Sequence, residues 1–423
     1  MLRRLLHDEI LGTLKSSPAI LLTGARQVGK STLAQQLISP SWNARYVTLD
    51  DRANLDAALR DPDGFVDALP TPTILDEVQR SPDVLLSIKR AIDRNRSPGA
   101  WLLTGSANVM TLSSVSDSLA GRVALKTLYP FSWPEIEGAP LPSVIPSLFS
   151  AASSRELIRS LPSEGKTECR ALVEKRILSG GYPPAALMKA GANRAEWFDS
   201  YLRTYVERDL LQIKSIEQIP DFNRLITLAA FRTGGLLNMS DLSREIGLPY
   251  TTLRRYLNLL EVTYQVHLLP PYHANISKRL VKTPKLYSLD TGLACSIRAA
   301  DDWPTLERQS GIGAMVETWV ATELLKLLPL VDHRLRLYFW RTGKGEEVDF
   351  LIERGADLIG VEVKWGARIA DRDVANLHAC AEDLKGRLRM AVILYSGSQV
   401  VALSPRIVAM PFDVFFGIAR RPR

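Results

Sequence analysis

The first third of the chain repeats one pattern: a short, mainly apolar run, then a stretch with helical spacing. Ala19-Ile20-Leu21-Leu22-Thr23 lies between Pro18 and Gly24, and Arg45–Asp50, Thr73–Asp76, Ala100–Thr104 and Val123–Leu128 repeat the form. Runs this short, bounded by turn residues, predict strands. Strands alternating with helices predict an α/β fold, a parallel sheet covered by helices on both faces. The Pro- and Gly-rich stretch from Gly138 to Pro146 reads as a boundary.

The pattern then changes. Trp197, Tyr201, Tyr205 and Arg208 follow a three-to-four spacing, so the region from 141 to 235 reads as helical. Between 236 and 300, Ser240–Ile246 predicts a helix ended by Gly247, Leu248-Pro249 a turn, and Tyr250–Leu260 a second helix. Leu253, Leu257 and Leu260 share one face of it, leaving Thr252, Arg254 and Arg255 more exposed. This is helix-turn-helix spacing. A strand from Tyr264 to Pro270 and a basic wing from Ser277 to Lys285 follow. The region from 301 to 423 opens with an amphipathic helix, Ile312–Leu328, and returns to strands at Leu337–Arg341, Glu347–Ile352 and Leu358–Lys364. Four blocks result: 1–140, 141–235, 236–300 and 301–423.

The 423 residues are 46% hydrophobic and 23% charged, which excludes a disordered or fibrous chain as the main architecture. Lys plus Arg exceed Asp plus Glu, 53 to 46, for a net charge of +7. That excess permits a nucleic-acid partner without requiring one. Cys169, Cys295 and Cys380 form no CxxC pair, which speaks against a zinc ribbon or a disulfide framework and fits a reducing cytoplasm. The basic start, Met1 to Leu6, runs into Asp8 and Glu9 instead of an apolar segment, so no secretory signal is expected. No apolar run is long enough to predict a membrane span.

Gly24-Ala25-Arg26-Gln27-Val28-Gly29-Lys30-Ser31 fits the phosphate-loop pattern GxxxxGK[ST] at every fixed position. The glycines let the backbone wrap a phosphate closely, and several N–H groups then point at it. Lys30 is expected on the β- and γ-phosphates of ATP and the Ser31 hydroxyl on Mg²⁺. The helix from Thr32 turns its positive end to the same anion. Ile74-Leu75-Asp76-Glu77 ends an apolar run with two acids; Asp76 is expected in the Mg²⁺ shell and Glu77 as the general base on water. Thr104, Ser106 and Asn108 follow the next strand, and any of them could sense the γ-phosphate; Ser106 is preferred. Arg122 is a candidate arginine finger, reaching a neighbouring subunit's nucleotide.

Two further sets carry chemistry. Arg254, Arg255, Lys278, Arg279, Lys282 and Lys285 are candidate DNA-phosphate contacts, the alternative being a helix-turn-helix used for packing or oligomerisation. In the last block, Asp349, Glu362 and Lys364 form a spaced acid–acid–base set, with Glu317 on the preceding helix. Carboxylates of this kind hold Mg²⁺ or Mn²⁺ against a scissile phosphate. Glu362 and Lys364, two apart on a strand, point to one face.

Together these residues resemble a family of prokaryotic AAA-type ATPases. The carriers are Gly24–Ser31, Asp76-Glu77-Val78-Gln79, Gly105-Ser106 and Leu119-Ala120-Gly121-Arg122. They continue with Gly180-Gly181-Tyr182-Pro183, Glu207-Arg208-Asp209, Pro284–Leu293 and the Asp349, Glu362, Lys364 set. The resemblance implies a P-loop AAA+ core, a helical lid, a winged helix and a restriction-endonuclease-like α/β domain. It implies Walker roles for Lys30, Ser31, Asp76 and Glu77. The last set is similar to the PD-(D/E)XK nucleases, in particular archaeal Holliday-junction resolvases. Thr73 departs from the family, which usually has an apolar residue there. Arg176, Arg203 and Arg208 all stand as the lid arginine that senses nucleotide.

The expectation is an ATP-hydrolysing ring, six subunits in the first instance, that binds and remodels DNA, branched DNA such as Holliday junctions included. Two alternatives stand: a nucleotide-gated switch that binds a protein and carries an inactive nuclease-like scaffold, and an ATP-gated metal-dependent nuclease.

Overall fold

The structure, a computed structural model, describes residues 2–105, 121–162, 165–166, 169–188, 192–204, 218–275, 279 and 282–419. It divides into two compact units, Arg3–Phe131 with Asn258–Gln265, and Ser132–Leu257 with Val266–Arg423.

The first unit is built on five parallel strands: β1 (Ala19–Thr23), β2 (Arg45–Thr48), β3 (Thr73–Asp76), β4 (Trp101–Thr104) and β5 (Val123–Thr127). Their order across the sheet is β2-β3-β4-β1-β5. β1, β3 and β4 are buried along their whole length, as central parallel strands covered on both faces must be. The helix Asp83–Arg94 lays Val84, Leu85, Ile88 and Ile92 on this core with Leu21, Leu75 and Leu103. Thr73 sits fully buried in β3 and donates its hydroxyl to Pro70 O, so the polar residue that breaks the apolar run is satisfied locally. The order matters for function. β4 lies between the strand that leads into the phosphate loop and the strand that ends in Asp76.

The second unit holds two sheets. β6 (Gly235–Leu236), β7 (Val266–Leu269) and β8 (Lys285–Ser288) form a small antiparallel sheet, ordered β6-β8-β7. The helices Met239–Ile246 and Tyr250–Val262 lie between β6 and β7 in the chain. Asn238 caps the first and Gly247, in the left-handed region, ends it. The larger sheet joins β9 (Arg336–Arg341), β10 (Glu347–Arg354), β11 (Asp357–Lys364), β12 (Leu388–Tyr395), β13 (Val401–Ser404) and β14 (Ile407–Pro411), ordered β13-β14-β12-β11-β10-β9. The helix Asp371–Asp383 packs Leu377 and Cys380 against Val348, Leu351 and Ile393.

The division between the two compact units falls after Phe131. Ser132 caps the helix Trp133–Glu137 through a capping box with Glu135, and the Trp133 ring packs on Trp319 and Phe416, all in the second unit. The Pro- and Gly-rich stretch is therefore a loop inside this unit. Among the described residues no helix is long and apolar enough to cross a membrane. Cys169, Cys295 and Cys380 are buried free thiols.

Candidate functional site

The loop after β1 takes the backbone shape that its glycines allow. Gly24 has φ 143° and runs so close to the next strand's end that a Cβ there would meet Leu128 O at 2.1 Å. Gln27 and Gly29 also have positive φ, 59° and 94°. The helix Lys30–Gln36 begins two residues earlier than its apolar pattern suggests. Lys30 is buried, and its ammonium donates to Gly24 O at 3.0 Å and Ala25 O at 2.9 Å. Ala25 and Val28 are buried, Arg26 half-buried, and Gln27 and Thr32 exposed.

Asp76 is the hub of the site. It is buried at the end of β3 and accepts three side-chain hydrogen bonds. Ser31 Oγ donates to its Oδ1 at 2.9 Å, Thr104 Oγ1 to the same oxygen, and the Tyr46 hydroxyl to Oδ2 at 2.7 Å. Thr104 Oγ1 also accepts from the Glu77 backbone N–H at 3.2 Å. One hydroxyl on β4 thus ties the expected metal ligand to the expected base. Glu77 is half-buried with φ 61°, and Gln79 Nε2 donates to its carboxylate. Burial, then the Asp76 carboxylate, pushes the Tyr46 phenol up to about 12, so it remains a donor at neutral pH.

Of the three candidates after β4, Thr104 is the one placed on Asp76. Ser106 and Asn108 lie outside the described residues. Tyr46 was not singled out from the sequence. Its one signal is position: it sits two residues before Thr48, the register partner of Asp76. Arg122 pairs within its own unit, Nε to Asp93 Oδ1 at 2.6 Å and a terminal nitrogen to Oδ2 at 3.1 Å.

On the helix Tyr250–Val262, Leu253, Leu257 and Leu260 are buried while Arg254 and Arg255 are exposed, as is Lys282. Two other expected DNA contacts are not at the surface, and Lys278 lies outside the described residues. Arg279 forms a fork with Glu353, at 2.9 and 3.2 Å, between the rings of Tyr272 and Tyr338. Lys285 is 2% exposed, and its ammonium lies 2.7 Å from Glu317, 2.5 Å from Glu347 and 3.9 Å from Asp349. Both corrections have one cause. A basic run reads as solvated until acids from distant parts of the chain close over it. Arg176 is buried and paired with Glu137 at 3.1 Å, Arg203 is exposed, and Arg208 lies outside the described residues.

Lys285 also changes the expected metal set. Glu317 Oε1 accepts from both Lys285 and the Tyr287 hydroxyl, the latter at 2.5 Å. Asp349 Oδ2 accepts from the Val363 N–H at 2.8 Å, and Glu362 pairs with Lys364 at 2.8 Å. Burial, then the Asp349 charge, pushes Glu317 up to about 7 and Glu362 up to about 8. Burial opposes the charge on Lys285, but Glu317, Asp349 and Glu347 outweigh it, and its pKa is raised. Among the described residues no three acidic, His or Cys side chains are gathered to hold a metal ion. Glu317, Asp349, Glu362 and Lys364 do not fit a catalytic Mg²⁺ as they stand, because the Lys285 ammonium already lies against Glu317 and Asp349, and Lys364 holds Glu362.

Comparison with known proteins agrees with the first unit. Residues 16–137 match the sequence model described as an AAA domain. Residues 170–303 and 312–415 match domains of unknown function, DUF8612 and DUF4143. The uncharacterized protein Rv2008c of Mycobacterium tuberculosis is 32% identical over 414 residues, 97% of this chain and 82% of its own. The uncharacterized protein Mb2031c of Mycobacterium bovis matches to the same extent. The chain belongs to one family with these two mycobacterial proteins, and its residues 16–137 carry the AAA domain. Among solved structures, the Walker-type ATPase PABY2304 of Pyrococcus abyssi is similar at 12% identity and TM-score 0.38, covering 69% of this chain and 94% of its own. Cdc6p of Pyrobaculum aerophilum follows at 15% identity and TM-score 0.26, covering 76% and 93%.

The donor set of the AAA-type site fits nucleotide and Mg²⁺. A hydroxyl and a buried carboxylate lie together beside a glycine-shaped backbone cradle and a lysine ammonium, which is hard-oxygen chemistry for the ion and donor chemistry for phosphate.

Proposed function

We propose that the chain hydrolyses ATP and couples turnover to binding and remodelling DNA, as an oligomeric ring. The observation that carries the ATPase part is the Asp76 hub, where Ser31, Tyr46 and Thr104 fix one carboxylate from three elements. Lys30 moves from its loop carbonyls to the β- and γ-phosphates, and the loop N–H groups complete the cradle. Mg²⁺ held at Ser31 and Asp76 supplies neutralisation of phosphate charge when bound. Glu77, held by Gln79 and Thr104, polarises the attacking water. Arg122 leaves its exposed pair with Asp93, a pairing worth little in solvent, to reach the neighbouring subunit's nucleotide. A finger given to a neighbour requires an oligomer, read here as a ring with six subunits as the expected number.

The DNA part rests on the helix pair and small sheet, read as a winged helix. Its second helix buries a leucine face and presents Arg254 and Arg255 to solvent, with Lys282 beyond. Two or three such cations supply sequence-independent phosphate contact and suit recognition of DNA shape, a branch point included.

The test is steady-state ATP hydrolysis without DNA and with single strand, duplex and a four-way junction, at two salt concentrations. Lys30→Ala should abolish turnover. Arg122→Ala should cut it while leaving nucleotide binding intact, and specific activity should rise with protein concentration. Stimulation by one DNA form that fades at high salt supports the reading. Equal turnover with all four, or turnover in Lys30→Ala equal to wild type, refutes it. A second reading, a nucleotide-gated switch for a protein partner with an inactive nuclease-like scaffold, is favoured by Lys285 among the acids. Flat turnover across the DNA forms would select it.

A further inference from the structure

We propose that Lys285 is the resident cation of the second unit's acidic cluster, standing where a nuclease would hold a divalent ion, so that wild-type protein takes up no metal there. The inference concerns the acidic cluster of the second unit alone and does not depend on whether DNA stimulates turnover.

The geometry is specific. Lys285 opens β8, with Leu236 of β6 and Leu269 of β7 as its register partners, so its backbone is held from both sides. Tyr287 is two residues on and shares its face of the strand. The two residues deliver an ammonium and a phenol to one oxygen, Glu317 Oε1, at 2.7 and 2.5 Å. Glu347 and Asp349, also two apart, approach the ammonium from β10 at 2.5 and 3.9 Å. A helix and a strand of the larger sheet therefore contribute their acids to a cation from the smaller sheet. The ammonium has three N–H groups, and carboxylate oxygens surround it.

A divalent ion would need these same oxygens. Mg²⁺ demands ligands at about 2.0–2.1 Å in octahedral array. Glu317 Oε1, Glu347 Oε1 and Asp349 Oδ1 face the ammonium, Asp349 Oδ2 is held by the Val363 N–H, and Glu362 Oε1 by Lys364. Lys285 is 3% exposed at its side chain and has no solvent into which to withdraw. A buried charge left without its partners is strongly destabilising, so the lysine has no low-energy alternative position. An ammonium and a divalent ion at one centre exclude each other.

The experiment counts Mn²⁺ bound to the full-length protein without nucleotide, by loss of the free ion's paramagnetic resonance signal. All proteins carry Ser31→Ala, which removes the metal-binding hydroxyl of the ATPase site. The quantity read is the Mn²⁺ lost on adding Asp349→Asn. With Lys285 in place it should be zero; with Lys285→Met it should be one ion per chain. Asp349-dependent binding with Lys285 in place, or a folded Lys285→Met protein that gains none, overturns the proposal. Should Lys285→Met not fold, melting of the Lys285 protein with and without Mn²⁺ decides. No Asp349-dependent shift supports the proposal; a rise in melting temperature that Asp349→Asn removes overturns it.

Discussion

Tyr46 donates to Asp76 Oδ2, while Ser31 and Thr104 donate to Oδ1. A hydrogen bond to a charged group contributes about 1.5–3 kcal/mol. Tyr46→Phe keeps the ring and removes the donor. Turnover should fall by about tenfold, the lower end of that range, and half-maximal turnover should need more Mg²⁺. An unchanged Mg²⁺ dependence would show that Asp76 does not rely on Tyr46. The placement of Lys30, Ser31, Asp76 and Glu77 is legible in the sequence because local spacing sets it: a loop, a helix start and a strand end. Thr104 was one of three options and Tyr46 was invisible. Their roles come from the order of strands across the sheet, which places β4 and β2 on either side of β3. Chain order alone does not reveal that order.

The helix Tyr250–Val262 separates two properties on two faces. Leu257 is 3% exposed on the buried face, and Leu257→Ala should destabilise the protein by about 2–5 kcal/mol, seen as early melting. Arg254→Ala with Arg255→Ala should leave melting within about 0.5 kcal/mol of wild type, since both side chains are exposed. The same pair should lower the salt slope of duplex binding by about 2, one for each DNA phosphate that is no longer neutralised. An unaltered slope would remove this helix from the DNA interface. The helix was legible from its leucine spacing, and the structure extends it by two residues, to Val262. The wing lysine was misread. The carboxylates that pair with it are distant in the chain, coming from the helix Ile312–Val331 and from β10.

At the scale of the whole chain, pH should act through the second unit's acids. Folding raises Glu317 from an ordinary value of 4.5 to about 7 and Glu362 to about 8, so the folded state holds protons that the unfolded state releases. Their stabilisation is complete below pH 4.5 and is lost as pH rises through 7 and 8. Melting temperature should fall from pH 5 to pH 8.5, and Glu362→Gln, which mimics the protonated acid, should flatten that fall. A rising profile, or one that Glu362→Gln leaves unaltered, would contradict it. The sequence divides into four blocks, whereas the folded chain forms two units, with residues 258–265 grouped with the first. Composition marks loops, and only packing shows which loops separate bodies. The cluster around Lys285 also bears on how the family can change over time. Removing the lysine alone leaves three half-buried carboxylates without their cation, and removing the acids alone strands a buried ammonium, for which loss of its partners costs up to about 3–5 kcal/mol. Positions 285, 317, 347 and 349 should therefore mutate as a group, and relatives with only part of the set should be rare.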